Sequence, residues 1–596
     1  MRNHKKEGEP QNRFSFIPTT RQEMDRLGWD CPDIILVTGD TYIDSPHIGA
    51  AVIGRVLLDA GYRVGIIAQP DMDQDQDITR LGEPLLFWGV TGGSVDSMIA
   101  NKTASNKPRR KDDLTPGGQN TRRPDRAAIA YSNLIRRYFK NTVPIVLGGI
   151  EASLRRVSHY DAWSNNIRRS ILFDAKADVL VYGMGEKTIL ELAEGLRGKK
   201  DYRHVRGLCY IDSQPPGDDG FFNQGDMELP GHTVAASDKE QFARMFSAFY
   251  ANNDPRTAKR LYQQQDTRYL IHNPPQWPLT QEELDGVFEL PYVHEVHPYY
   301  AAMGKVSALD TIQFSLTTHR GCFGECRFCA IAVHQGRQVI SRTKASLVRE
   351  AVSYASHQQF KGIISNVGGP TANMYAMTCN RIATKGACSN KSCLFPTPCR
   401  SLQKDHGPQI QLFRALGRIP GVRKAFLGSG LRHDLVVADE VNGQSYLEEV
   451  LRNHASGQLK IAPEHVADEV LALMGKPGQN VLEHFLKMFE SIQKKSGEKI
   501  FLTYYLMAAH PGCTLSHMND LRAYSLKRLK MLPEQVQIFT PSPSTYATLM
   551  YHTEKDPFSG RPIPVEKNAG GKEKQKAVMN KQKHFTGAVR KNKSNH

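Results

Sequence analysis

The sequence predicts an α/β protein in two parts, and three observations carry that expectation. Short apolar runs alternate with helical stretches through the first third of the chain. A second series of six such strands, again separated by helical stretches, fills the C-terminal half. Within that second series, directly after its first strand, lies a compact loop holding three cysteines. Alternation of this kind builds βαβ units, and these assemble parallel sheets.

The first series opens with Asp33 to Thr38 (DIILVT), an apolar run ahead of a turn. Pro46 to Gly61 follows with helical spacing, placing Ile48, Val52, Ile53, Val56 and Leu57 on one face. Tyr62 to Ala68 is the second strand, and further strands are expected at Leu85–Val90, Pro144–Leu147 and Val179–Tyr182. Gly92-Gly93, Gly148-Gly149 and Gly183-Met184-Gly185-Glu186 form the turns after the last three. Open α/β sheets bind ligands at such carboxyl-end loops. None of the turns is a GxGxxG fingerprint, so a nicotinamide dinucleotide is not supported.

With its PHIGAAVIGRVLLDAGYRV helix and later GMGEKTILELA stretch, this region resembles a cobalamin-binding-type doubly wound domain. The cobalt-ligand motif that the resemblance implies is Asp-x-His-x-x-Gly. Here the turn reads Asp44-Ser45-Pro46-His47-Ile48-Gly49, which does not match, so cobalamin is not expected. His47 could still approach a ligand, but the plainer reading is a surface histidine at a helix start. The expected organisation is an α/β accessory domain over 1–190, a connecting segment over 191–305 without chemistry of its own, a core with a C-terminal extension over 306–565, and a tail over 566–596.

Thr311 to Thr317 (TIQFSLT) reads as the strand that leads into Gly321-Cys322-Phe323-Gly324-Glu325-Cys326-Arg327-Phe328-Cys329. A structural zinc site wants four ligands, often as paired C-x2-C units. A ferredoxin-type cubane also takes four thiolates. Three cysteines spaced C-x3-C-x2-C instead leave one iron of a [4Fe–4S] cluster without a protein ligand, which is what an activating site requires. Gly321 and Gly324 let the backbone wrap the cluster closely. Arg320 and Arg327 are expected to offset its negative charge.

This loop, with Phe328 before the last cysteine, resembles the radical S-adenosylmethionine (radical SAM) signature. The resemblance implies that Cys322, Cys326 and Cys329 hold the cluster and that S-adenosylmethionine chelates the open iron. It further implies that Gly368 and Gly369, after the strand Gly362–Val367, hold the cofactor's amino group, although the acid of the usual Gly-Gly-Glu-Pro element is missing. Strands at Lys424–Gly428, Gln458–Ile461, Ile500–Leu506 and Gln535–Phe539 bring the total to six, which suits the partial (β/α)6 barrel of the superfamily. Chemistry in such barrels sits at the carboxyl ends. Gly428-Ser429-Gly430, Ala462-Pro463-Glu464-His465 and His510-Pro511-Gly512 fall there and read equally as ligand contacts or tight turns. Segments such as LGGIEASLRRVSHYDAW (147–163) and IAPEHVADEVLALMGKPG (461–478) resemble the YgiQ family of radical SAM proteins across nearly the whole chain. The resemblance carries the cofactor, and with it an electron donor such as flavodoxin or ferredoxin, but no substrate.

Cys379, Cys388, Cys393 and Cys399 form a second group, spaced C-x8-C-x4-C-x5-C in a polar stretch with no apolar period. Four thiols in one loop suit a second metal site, zinc or iron–sulfur. Cys31, Cys209 and Cys513 are isolated and read as small apolar residues. Glu566–His596 carries a net charge of +7 and Asn101–Arg126 a net +5, most of the formal +16 of the 596-residue chain. Both read as loop or disordered tail. A basic tail attracts RNA through its phosphates, but no aromatics interleave these charges for base stacking, and a solvated tail is the plainer reading. No apolar run of about 18 residues suggests a membrane span. The polar N-terminus has no signal-peptide core, so a cytoplasmic protein is expected. Three functions stay open: a radical SAM enzyme, a non-enzymatic iron–sulfur, zinc or RNA-binding protein, and a cobalamin-assisted methyltransferase.

Overall fold

The computed structural model describes residues 16–580 apart from 218, 219, 223, 390, 498, 534 and 535. Its N-terminal part is built on a nine-stranded sheet. Five strands run parallel in the order Val64–Ala68, Ile34–Thr38, Phe87–Thr91, Ile145–Gly148, Val179–Val181. Alternate residues of Ile34–Thr38 enter opposite cores. Ile35 and Val37 pack with Trp88 and Leu147, while Ile34 and Leu36 pack with Phe87 and Val146. Burial on both faces explains why these strands read as continuous apolar runs. At Gly54 the helix Gly49–Asp59 rests on the sheet, where an added Cβ would stand 3.5 Å from Leu36 Cδ1 and 3.6 Å from Ile66 Cδ1, and 2.6 Å from Ile17 Cδ1 of the segment before the sheet.

The strand order reverses between Ile34–Thr38 and Phe87–Thr91, and that crevice is the usual ligand position of a doubly wound sheet. The sheet then continues with Leu208–Asp212, Arg268–His272, Arg260–Gln265 and Asp226–Leu229, the first three added antiparallel. The stretch expected to be a mere connector over 191–305 therefore supplies four strands of the first sheet.

The second part is an arc of short parallel strands. Ser315–Thr317 pairs with Asn366–Gly368 and Ile363–Ile364 with Lys424–Ala425. Leu427 and Leu431 donate their N–H groups to His454 O and Lys460 O, joining the third position to the fourth. Gln458–Glu464, Phe501–Ala508 and Val536–Ile538 complete the arc, each parallel to the last. All six strands fall where the sequence places them, but the first is shorter than expected because Leu309–Ile312 is helical. The helix Tyr546–Thr553 returns to the first sheet and buries Ala547, Leu549 and Met550 in its core, tying the two parts together.

The expected tail begins later than 566. Ala569–Ala577 is a helix, with Lys572 Nζ 3.0 Å from Tyr551 OH and Gln575 Oε1 accepting from Ala509 N at 2.9 Å. The rest of the tail, 581–596, lies outside the described residues. The basic stretch 101–126 folds over the carboxyl edge of the first sheet, where Arg123 is buried between Asp40 (2.8 Å) and Asp112 (3.0 Å). No helix among the described residues is long and apolar enough to cross a membrane.

Candidate functional site: a thiol loop at the mouth of the strand arc

The cysteine loop follows the first strand of the arc and is held in place by its own return. His319–Arg320 pairs antiparallel with Ile340–Ser341. Gly321 adopts φ +79°, and a Cβ there would lie 1.9 Å from Gln338 O, so the turn accepts only glycine. At Gly324 a Cβ would stand 2.8 Å from Arg432 Nη1 and 3.2 Å from Cys322 Sγ. The Gly324 N–H donates to Cys322 Sγ at 3.3 Å, and Arg432 Nη1 donates to Cys326 Sγ at 3.3 Å. Arg432 is itself fixed by Asp434, through Nε to Oδ1 at 2.8 Å. Burial and the neighbouring Cys326 push the Cys329 thiol up to about 12, and burial raises Cys322 as well. Bare thiolates are thus disfavoured here and are stabilised by the cations they would ligate.

The charge partner differs from expectation. Arg320 pairs with Glu186 of the first part, and Arg327 lies over Phe558 at 3.8 Å and donates to Ala472 O at 2.9 Å. Neither offsets the thiols. Arg432 does so from a loop more than a hundred residues downstream.

Gly368 and Gly369 stand beside this loop at the end of the second strand. A Cβ on Gly369 would meet the His319 ring at 2.7 Å, whereas Gly368 has its first neighbour at 3.4 Å. His319 is fully buried, its Nδ1 bonded to Thr318 Oγ1 at 2.8 Å and its Nε2 without a partner. Burial lowers its pKa to about 3, so the ring is neutral. Asn366 Oδ1 accepts from the N–H groups of Gly428 (2.9 Å) and Ser429 (3.0 Å), pinning the third carboxyl-end turn. Glu464, with φ +70°, sits near Cys329 and 3.8 Å from Lys476. His465 and His510 hydrogen-bond to their own turns, and His510 packs against Phe328.

A cavity of about 850 Å³ lies between the carboxyl edge of the first sheet and the mouth of the arc, lined from one side by Asp40, Gly148 and Gly183 and from the other by His319, Gly368 and Ser429. That volume falls within the roughly 300–1,000 Å³ of small-molecule sites. On the sheet side, Gly92, Gly93 and Gly149 are filled by Glu151, Asp40 and Thr91 at 2.4, 2.3 and 2.4 Å from their would-be Cβ atoms. Those turns are packed by the protein itself. Gly148 and Gly183 remain open. His47 is half-buried, and both ring nitrogens are engaged at 3.2 Å, Nδ1 with Ser45 and Nε2 with Thr317 across the two parts. It offers no free nitrogen as a cobalt ligand.

All four thiols of the second group are free and half-buried. Cys379, Cys393 and Cys399 pack on the same apolar cluster as Cys322, and Arg381 Nε donates to Cys388 Sγ at 3.1 Å. Among the described residues no three His, Cys, Asp or Glu side chains stand in single-ion geometry. A single-ion site is therefore not shown at Cys379, Cys388, Cys393 and Cys399, where either zinc or an iron–sulfur cluster was expected, and the criterion does not test the cluster. The same geometric criterion does not bear on Cys322, Cys326 and Cys329, since a cubane takes each thiolate on a different iron.

The donor set fits an iron–sulfur cluster: three clustered thiols, a backbone N–H on sulfur, a buried guanidinium, and glycine where any side chain would intrude. The cradle beside it fits a polar cofactor, with an open glycine, a partnerless imidazole nitrogen and a pinned turn facing one cavity.

A family model described as radical SAM N-terminal matches residues 16–315. The chain is 51% identical to a UPF0313 protein of Fusobacterium nucleatum over 95% of this chain and 99% of that one. A UPF0313 protein of Thermotoga petrophila is 47% identical over 94% of this chain and 98% of its own length. One from Methanosarcina acetivorans is 44% identical over 95% and 78%. Among solved structures, the radical S-adenosylmethionine methyltransferase TsrM of Kitasatospora setae superposes with TM-score 0.46 at 14% identity, covering 86% of this chain and 75% of that one. The cobalamin-dependent radical enzyme OxsB superposes with TM-score 0.48 at 12% identity, covering 90% and 57%.

Proposed function

This chain belongs to the UPF0313 family of radical SAM enzymes, and from that premise we propose that Cys322, Cys326 and Cys329 hold a [4Fe–4S] cluster whose open iron binds S-adenosylmethionine. When bound and reduced, that pair supplies reductive cleavage of the sulfonium to methionine and a 5′-deoxyadenosyl radical that abstracts hydrogen from a substrate. The single observation that carries the reading is that the three-thiol loop, with Arg432 on Cys326, is flanked at both ends by Arg320 and Ile331, which line the same cavity as the open Gly368.

The protein's own residues have separable tasks. Arg432 balances the charge on Cys326. Gly368 lets the backbone approach the cofactor without a side chain in the way. The neutral His319 presents Nε2 as a hydrogen-bonding group that needs no counter-ion. The two facing edges enclose the reacting groups and exclude water, which protects a reactive species from quenching. A reductant is required, and a flavodoxin or ferredoxin fits that need.

The test uses anaerobically purified, iron- and sulfide-reconstituted protein, with dithionite and S-adenosylmethionine. Mass spectrometry should find 5′-deoxyadenosine from the wild type and none from Cys326→Ala. A reduced cluster whose EPR spectrum is unchanged by S-adenosylmethionine would instead support a non-enzymatic iron–sulfur carrier.

A second reading is favoured by the place of the cavity. It opens at the switch point of the first sheet, where doubly wound sheets bind cofactors. His47 would hold a corrinoid there only by giving up its hydrogen bonds to Ser45 and Thr317. Adding hydroxocobalamin and reading the visible spectrum of the gel-filtered protein tests it, and a protein free of corrinoid absorbance sets it aside.

A further inference from the structure

Glu325 lies inside the cluster loop in a backbone conformation that disfavours its side chain. It sits between Cys322 and Cys326 with φ +46°, in the left-handed region that favours glycine. A glycine stands directly before it, so the chain places a strained residue where the family of conformations is costly. Such strain persists only where surrounding contacts over-determine it.

Those contacts come from three separate segments. Tyr250 OH, from the helix Lys239–Ala251 of the first part, donates to Glu325 Oε1 at 3.2 Å. Arg337 Nη2 pairs with Oε2 at 2.9 Å. Ser392 Oγ donates to Oε2 at 3.3 Å from within the second cysteine group. Arg337 holds that group as well, donating to Cys388 O at 3.1 Å and Lys391 O at 3.0 Å. The cysteine-rich loop is closed on itself by Cys399 N donating to Cys393 O at 2.8 Å. Cys322 of the cluster loop shares the apolar cluster of Phe323, Met374 and Leu394 with three of its thiols. The loop carrying Cys388, Cys393 and Cys399 is therefore the outer wall of the loop carrying Cys322, Cys326 and Cys329. One carboxylate is fastened to both.

We propose that Glu325 is a positioning residue that makes the geometry of the iron-binding cysteines depend on the docking of the 379–399 loop. Undocking that loop removes Ser392 and frees Arg337, and the strained backbone at Glu325 then relaxes away from its left-handed conformation. Cys326, the next residue, moves with it. Any chemistry at the four outer thiols, from alkylation to ligation of a thiophilic metal, is transmitted to the cluster by this route. The inference rests on the assignment of Cys322, Cys326 and Cys329 as cluster ligands.

The test compares reconstituted wild type with Glu325→Gln, Glu325→Ala, Glu325→Gly, Ser392→Ala and Cys388→Ser/Cys393→Ser, reading iron per chain and the EPR spectrum of the reduced cluster with and without S-adenosylmethionine. Glutamine keeps an accepting oxygen and should give one wild-type-like species. Alanine should give a heterogeneous spectrum and lose at least half of the cofactor-induced shift, and glycine should behave as alanine does, because relief of strain does not replace the lost anchor. The outer-thiol pair should alter the spectrum of the wild type and add nothing in the Glu325→Ala background. Ser392→Ala, at a half-exposed edge, should give a weaker form of the same change and guards against variants that fail to fold. Alanine or glycine variants with wild-type spectra and full iron overturn the proposal. So does an outer-thiol effect that persists undiminished without Glu325. A wild type that binds no cluster overturns the ligand assignment instead, and is told apart by its iron content.

Discussion

Replacing Arg432 by methionine, alone and together with Asp434→Leu, tests the electrostatics of the thiol loop. The guanidinium stands 3.3 Å from Cys326 Sγ and is buried with its carboxylate partner. The single replacement strands Asp434 as an unpaired buried charge, which costs roughly 3–5 kcal/mol. The double replacement removes both charges and should recover most of that stability. It then isolates the effect on the cluster. With an effective dielectric near 20, a cation at about 3.3 Å and an anion at roughly 7 Å leave a net stabilisation of about 2–3 kcal/mol for added negative charge. At 59 mV for each tenfold in a one-electron couple, that corresponds to roughly 100 mV. Spreading the electron over the whole cluster reduces it to on the order of 50–100 mV. The expected result is a potential more negative by that amount in the double variant, read by EPR-monitored redox titration, with iron content unchanged. A double variant that folds, keeps its iron and titrates at the wild-type potential would refute the claim that Arg432 balances the cluster.

Acid should weaken the fold well before the carboxylates titrate. His319 and His159 are held near 3 and His47, His334, His433 and His510 near 4 by burial, so between about pH 4 and 6.5 the unfolded chain binds more protons than the folded one. Stability therefore rises with pH through that window, and the urea midpoint should fall steadily from pH 7 to pH 5; a flat midpoint would show that these rings are protonated in the fold. Truncation separates the folded from the basic part of the C-terminus. Ending the chain after Asn580 should leave the melting temperature unchanged, whereas ending it before Glu566 removes Gln575 from Ala509 N and Cys513 O and Met579 from the core of the strand arc, and should lower it by several degrees. Any RNA binding by residues 581–596 should already vanish in the chain ending after Asn580, without loss of fold.

The parts of the fold that were legible are those where burial acts on both faces of a strand. Ile34–Thr38 and Val64–Ala68 are wholly buried and so appear as unbroken apolar runs. Arg260–Gln265 is also in the sheet, but its sequence is RLYQQQ, and nothing in that string announces a strand. Its buried polar side chains are satisfied by distant backbone: Gln263 Nε2 donates to Pro230 O at 2.8 Å, and Gln265 Oε1 accepts from Ser170 N at 2.9 Å. Those partners exist only once the chain has folded, which is why 191–305 reads as a connector. The helix Ala569–Ala577 was hidden for the same reason, since Lys572 and Gln575 are buried through polar contacts on a stretch with no apolar face. At the site, the three cysteines are local and their spacing shows at once. Arg432 is not local; the only sequence hint is that it follows the Gly428-Ser429-Gly430 turn, at a strand end that leads to the mouth of the arc. Glu325 was in plain view between two cysteines, but its meaning lies in φ +46° and in donors from residues 250, 337 and 392, none of which the spacing contains. Sequence therefore names the groups that must be chemically particular, the thiols, while the groups that only have to be somewhere, a cation, an anchor, a neutral imidazole, are set by the fold that brings both carboxyl edges to one cavity.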